Sequence, residues 1–232
     1  MTRSKKISTT VGILYITGTV TGILSLVFTN SILNVPDYFS QISAHENKLI
    51  LGAIFVFLMG LSLSLIPIVL FPVLKKINET LAVGYIVFRS ALETVVYLFT
   101  IVSCLMLADL SHSFINATPQ DFQGIFALGN SLIESRAINC ISTTVFIMGA
   151  IMFYYFLYQS KLIPRWISAW GLIGAVPFLT AGFLIVFNVT KNVSTVDTLL
   201  RMPIAFQEMV LAVWLIVKDF NPVADPLNQL NK

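Results

Sequence analysis

The sequence predicts an all-α integral membrane protein, a bundle of six transmembrane helices with both termini in the cytoplasm. Three observations lead there. The 232 residues are 56% hydrophobic and only 11% charged, against the ~25% charge typical of a soluble domain. The mean hydropathy is +0.86. Several apolar runs reach the ~20 residues that cross ~30 Å of hydrocarbon.

The spans fall at about 9–29, 47–71, 81–107, 127–158, 166–188 and 201–218, forming one transmembrane domain over 1–218. The first follows a basic start, Arg3, Lys5 and Lys6. Its apolar run, 11–28, is longer than a signal-peptide core and no small-residue cleavage site follows, so it reads as a retained span. Gly18 and Gly22 in that span make a G-x-x-x-G, which lets helices approach closely. The fourth stretch exceeds one crossing, so its first residues read as a lead-in outside the hydrocarbon. Pro67 and Pro177 sit inside the second and fifth spans, where each removes a backbone donor. The tail, 219–232, has prolines without apolar periodicity and reads as a loosely ordered cytoplasmic end.

Orientation follows from lysine and arginine. The N-terminal residues, Lys75 and Lys76, Lys161 and Arg165, and Lys218 fall on one side of six crossings. The other side offers Lys48 and Lys191, with Arg201 at a span edge. The positive-inside rule makes the first side cytoplasmic. Tyr154, Tyr155, Tyr158, Trp166 and Trp214 fall near that interface, where amphipathic rings are favoured, and Arg165 joins Trp166 and Trp214 as an anchor there. The short links near 72–80 and 159–165 pair spans two with three and four with five as hairpins. The outer stretch 109–128 carries Phe114, Ile115, Phe122, Ile125 and Phe126, enough for a short interfacial helix.

The chemistry-bearing residues lie inside the spans. With a rise of ~1.5 Å per residue, Arg89 sits roughly 12 Å deep and Glu93 roughly 18 Å deep, close to the bilayer midplane. Glu208, ten residues before Lys218, lies at a similar depth. Glu134 and Arg136 fall in the outer half of the fourth span, and Asn130, Asn139 and Gln207 add polar groups. Each central charge costs about 2.5–3.5 kcal/mol on insertion scales, so these side chains are expected to face inward and to pair. Arg89 and Glu93, spaced i,i+4, share one helix face. Glu134 and Arg136, two apart, point to different sides, so either one or the other joins them. The polar core is therefore Arg89, Glu93 and Glu208 with Glu134 or Arg136. Three acids against two bases leaves one carboxylate for a proton or a cation. Two readings fit: a ligand or proton site, or an interhelical clamp that specifies geometry.

Other chemistries lack their residues. His45 and His112 are in outer loops, so no intramembrane zinc site forms, and no metal or cofactor is expected. No G-x-S-x-G, Walker A or dinucleotide fingerprint occurs. Cys104 and Cys140, both inside apolar spans, read as buried thiols. No basic patch with interleaved aromatics points to nucleic acid. Partners are membrane lipid and a small-molecule or lipid ligand.

Three segments, "FRSALE" (88–93), "IPRWISAWGLIGA" (163–175) and "EMVLAVWLIVKDF" (208–220), resemble the bacterial membrane family known as domain of unknown function 4386. The likeness extends to "GILYITGTVTGILSL" near the N-terminus. The family's F-R-x-x-E element falls on Phe88, Arg89 and Glu93, here with one more residue between. Its P-R turn falls on Ile163, Pro164 and Arg165, and its last motif on Glu208, Leu211, Trp214 and Leu215. The resemblance implies about six spans in a bacterial cytoplasmic membrane, and no particular activity. The functional expectation is a transporter-like protein binding or moving a small molecule, proton or lipid headgroup. The alternatives are an intramembrane lipid-modifying enzyme and a non-catalytic assembly or stress-response component.

Overall fold

The computed structural model describes residues 2–118, 120–133 and 135–227. Among them the chain is helical throughout its regular structure. The elements are α1 (Arg3–Leu33), α2 (Tyr38–Ala44), α3 (Glu46–Leu74), α4 (Glu79–Tyr85), a π-helical segment (Ile86–Leu92), α5 (Glu93–Ile115), α6 (Phe122–Ile133), α7 (Arg136–Ser160), α8 (Arg165–Val186) and α9 (Thr195–Val217). Six helical stretches are long and apolar enough to cross a membrane, so this is a multi-pass membrane protein.

Polar residues punctuate these helices. Thr2, Asn78, Ser135 and Ser194 each accept a backbone N–H from the first turn of the helix that follows. Such caps satisfy donors that a helix start leaves free. The Ser135 cap starts a fresh helix inside the overlong fourth stretch, so the lead-in expected there is a separate twelve-residue helix, α6. Pro67 and Pro72 in α3, Pro177 in α8 and Pro203 in α9 are all carried within continuous helices. The stretch before α3, unassigned from sequence, holds the short helix α2.

The spans pack in chain order. α1 lies against α3, α3 against α4–π–α5, that span against α7, α7 against α8, α8 against α9, and α9 closes back on α1. The result is a ring. Gly18 and Gly22 both face α3: a Cβ on Gly18 would stand 2.7 Å from Leu63 Cδ2, and one on Gly22 2.8 Å from Met59 Sδ. These close approaches are what small residues allow when lipid supplies no hydrophobic drive between helices. The polarity is arranged accordingly. Ile13, Val27, Phe57, Phe99, Val102, Ile173, Val176 and Val213 are exposed on the outside, while Ser8, Thr21, Ser62, Arg89, Glu93, Thr143, Ser168 and Gln207 are buried.

Both chain ends meet at one end of the ring. Lys5 Nζ donates to the Ile216 carbonyl at 2.7 Å, placing a cation at the C-terminal end of α9, where the helix dipole favours it. The tail departs from the loose end expected. The Asn221 N–H donates to the Leu162 carbonyl at 2.8 Å, and Phe220 and Leu227 are buried in the same core as Leu162 and Ile163. Apolar side chains in the tail gain burial by folding back across the 161–164 turn, an outcome that local periodicity cannot register. Residues 228–232 lie outside the described residues.

At the other end, a smaller core gathers Ile32, Tyr38, Phe39, Ile42 and Leu49 with Leu107. Phe39 stacks on Phe114 at 4.5 Å between ring centroids, and Phe114 meets Phe122 at 4.3 Å. The aromatics at this end thus tie α2, α5 and α6 into a cap, with Phe122 and Phe126 still partly exposed. Cys104 is buried, but Cys140, on the outward side of α7's first turns, is exposed and not the buried thiol expected.

Removal of the Phe220 ring tests the docked tail. Phe220→Ala should lower stability by about 3 kcal/mol, the range for a buried phenylalanine, measured by SDS titration in mixed micelles. An unchanged midpoint would contradict the docking.

Candidate functional site

The third span contains the local irregularity on which the site is built. Residues 86–92 wind as a π-helix, and the Glu93 N–H closes on the Phe88 carbonyl five residues back. Such wide turns are rare and often occur at functional sites. Residues 89 and 93, four apart, share one face of this turn. Arg89 Nη1 reaches both Glu93 carboxylate oxygens at 3.0 Å. The side-chain hydroxyls around the π turn bond to backbone. Thr94 Oγ1 donates to the Ser90 carbonyl, and Ser90 Oγ donates to the Ser64 carbonyl at 2.6 Å. The second bond ties the turn to α3 beside the Leu63 carbonyl, which Pro67 deprives of its usual donor.

From this turn Arg89 points to the ring axis. Its Nη2 donates to Glu208 Oε1 on α9 at 3.4 Å, and its guanidinium lies over the Phe146 ring of α7, 4.9 Å from the centroid. Arg89 is 3% exposed and Glu93 2%. Glu93 also accepts the Tyr97 hydroxyl. Tyr97 in turn lies over Gly60 of α3, where a Cβ would stand 2.8 Å from the ring. Next to Glu208, Gln207 Nε2 donates to the Ile167 carbonyl at 3.1 Å, which fixes the rotation of α9 against α8.

The two carboxylates are held unequally. Glu93 makes a bidentate ion pair and takes a third hydrogen bond. Glu208 makes one longer contact, and its side chain is 15% exposed. Both share one guanidinium, so the ionised triad carries a net charge of −1. An uncompensated charge in an apolar interior is strongly disfavoured, and a single proton restores neutrality. Glu93 accepts three hydrogen bonds and Glu208 one, so Glu208 is the less firmly held carboxylate.

A cavity of about 10 Å³ adjoins the triad, lined by Tyr15, Tyr85, Arg89, Ala150, Phe153, Tyr154 and Glu208. Tyr154 was expected at the interface, but it is 1% exposed on the inner wall. Tyr85 stacks flat on Phe153, with centroids 4.7 Å apart and planes 4° from parallel.

The remaining sequence candidates fall elsewhere. Arg136 is the first residue of α7 and is exposed there, away from the triad. Glu134 lies outside the described residues. Asn130 is exposed on α6. Asn139 belongs to a separate outer network: it bonds Asn192 at 3.0 Å and accepts from Arg201 at 3.4 Å. Arg201 Nε donates to Asp197 Oδ1 at 2.6 Å, and its guanidinium lies over Phe178. Arg165 begins α8 and stacks over Tyr158 at 5.2 Å, Trp166 is exposed and meets Trp170, and Trp214 is half-buried against the main core. His112 pairs with Glu46 at 3.0 Å on the exposed surface.

Sequence reasoning missed Tyr15, Tyr85, Tyr97 and Asp197. Tyr97 was detectable, since it continues the Arg89–Glu93 stripe at i+8. Tyr15 and Tyr85 had no signal, because only the closed ring brings them to the axis.

The chain matches the family described as "Domain of unknown function (DUF4386)" over residues 10–218 and belongs to it. Six helices long and apolar enough to span a membrane make this chain a multi-pass membrane member of that family. No curated protein and no solved structure matches the chain.

Arg89→Met should destabilise the protein by about 3–5 kcal/mol, because it strands buried carboxylates. Adding Glu93→Leu should recover part of that loss in the same SDS titration. Gly60→Ala should cost about 1–3 kcal/mol by pushing Tyr97 off its seat; full wild-type stability would show that Tyr97 is not held there.

Proposed function

We propose that this protein is a proton-binding membrane protein of transporter type, in which Glu208 takes up and releases one proton at the centre of the helix ring. The observation that carries this reading is the charge mismatch of the triad: two buried carboxylates, one guanidinium, and an asymmetry that leaves Glu208 the weaker ligand. Ionisable groups at this depth mark proton relays and substrate paths in membrane proteins. The size of the adjoining cavity also supports a proton over a larger solute, since about 10 Å³ holds no more than one water.

The link to movement is mechanical. The Arg89–Glu208 contact joins the third span to the sixth across the ring axis. Protonated Glu208 no longer attracts Arg89 as an anion, so the two spans separate at lower cost. The unprotonated carboxylate draws them together. With the lysine- and arginine-rich end facing the cytoplasm, as the positive-inside rule implies, the ring sits in a bacterial cytoplasmic membrane with both termini inside.

The test is a proton count. Purified protein in nanodiscs, taken through a base pulse in weak buffer, should release about one proton more per molecule than Glu208→Gln. Difference infrared spectra should show a protonated-carboxyl C=O band that Glu208→Gln removes. Equal proton counts and an unchanged band in the variant would overturn the proposal.

A further inference from the structure

The cavity beside the triad has an unsatisfied hydrogen-bonding wall. The Tyr85 hydroxyl is buried and makes no hydrogen bond of ordinary geometry, with the Tyr15 hydroxyl as a polar neighbour on the same cavity wall. Tyr85 itself is 2% exposed, and its ring is held by the parallel stack on Phe153, so the hydroxyl stays at the cavity. Leaving such a group unpaired costs about 1–3 kcal/mol. Glu208 lines the same cavity and makes a single 3.4 Å hydrogen bond, so its carboxyl also has bonding capacity to spare. A volume of about 10 Å³ is close to the minimum for one water, which needs two or more polar partners.

We propose that this cavity is a binding site for one water molecule, held between the Tyr85 hydroxyl and the Glu208 carboxyl, and that Tyr85 is a positioning residue for proton exchange at Glu208. The role of Tyr85 rests on the proton-binding reading above; the water site stands on the cavity and its polar wall. Water fits this position because it both donates and accepts. It donates to Glu208 when the carboxylate is ionised and accepts from it when the carboxyl is protonated. The Tyr85 O–H donates to the water oxygen in either state, or accepts when the water's lone pairs are taken. A fixed side-chain donor could not accept from the protonated carboxyl's O–H, and a fixed acceptor could not donate to the ionised carboxylate. A water here therefore keeps both states of Glu208 hydrogen-bonded without rearranging the ring.

The experiment is difference infrared spectroscopy of the full chain in nanodiscs between two pH values, in H₂16O and H₂18O. Wild type should show a water O–H stretch that shifts on 18O substitution, together with a hydrogen-bonded carboxyl band. Tyr85→Phe keeps the ring stack and should abolish the isotope-sensitive water band. It should also move the carboxyl band to the frequency of a less hydrogen-bonded acid, and slow carboxyl hydrogen–deuterium exchange by about five- to tenfold, the rate equivalent of one hydrogen bond. Ala150→Val, which adds methyl groups to the opposite wall without removing a polar group, should have the same spectral effect. A merely structural role for Tyr85 would leave the carboxyl frequency and the exchange rate unmoved. If both variants keep the water band, the water site is overturned. If the water band is lost as expected but no carboxyl band responds to Glu208→Gln, the water site stands and the proton-binding reading fails.

Discussion

One guanidinium shared by two carboxylates holds the centre of this molecule together. Arg89 is taken out of water completely, so its charge must be answered within the ring. Glu93 answers it from the same span, and Glu208 answers it from the last span to be added in chain order. Among the described residues, the second contact is the hydrogen bond and ion pair that link the third span to the sixth. Phe146 supplies a polarisable surface for the cation. Removing either acid changes the charge balance, and removing Glu208 also removes the link between the third and sixth spans.

The supporting features serve to aim and hold this cation. The π turn carries Arg89, whose guanidinium reaches Glu93. The Ser90–Ser64 bond ties that turn to α3, and Gly60 makes room for Tyr97 to reach Glu93. Gln207, buried and bonded to α8, holds α9 so that its neighbour Glu208 faces the axis. The outer Asp197–Arg201–Asn139 network locks α9 to α7 near the opposite end of the ring from the tail. These polar contacts are spread along the ring's length, and an apolar exterior faces lipid. Helix association in lipid gains little from apolar burial, so small residues and polar contacts set the geometry.

A closed ring of spans also explains why the two carboxylates differ. Glu93 is carried by the same helix as Arg89 and stays with it through any movement of the ring. Glu208 comes from a different helix, joined to Arg89 by a single 3.4 Å hydrogen bond. The more loosely held acid is also the one that borders the cavity. Charge balance and the weaker attachment thus converge on the same residue, on which the proton-binding proposal rests.

Much of the architecture was determined by the sequence itself. Runs of apolar residues near the length of a bilayer leave few alternatives to spanning helices, because lipid cannot satisfy backbone polar groups. The same reasoning marked Arg89, Glu93 and Glu208 as inward-facing, since their cost in lipid is prohibitive whatever the fold. Only the tertiary structure decided which charges meet. Arg136 carries the same charge as Arg89, yet the Ser135 cap starts a new helix and leaves it exposed at the end. Tyr154 has the interface preference of Tyr155 and Tyr158, but helix rotation turns it to the axis. The π turn leaves no signature in residue periodicity, and the tail's burial depends on a turn sixty residues earlier in the chain. Hydropathy reports the cost of placing a residue in lipid; which partners remove that cost depends on helix rotation and ring closure, and those are settled by packing between spans far apart in sequence.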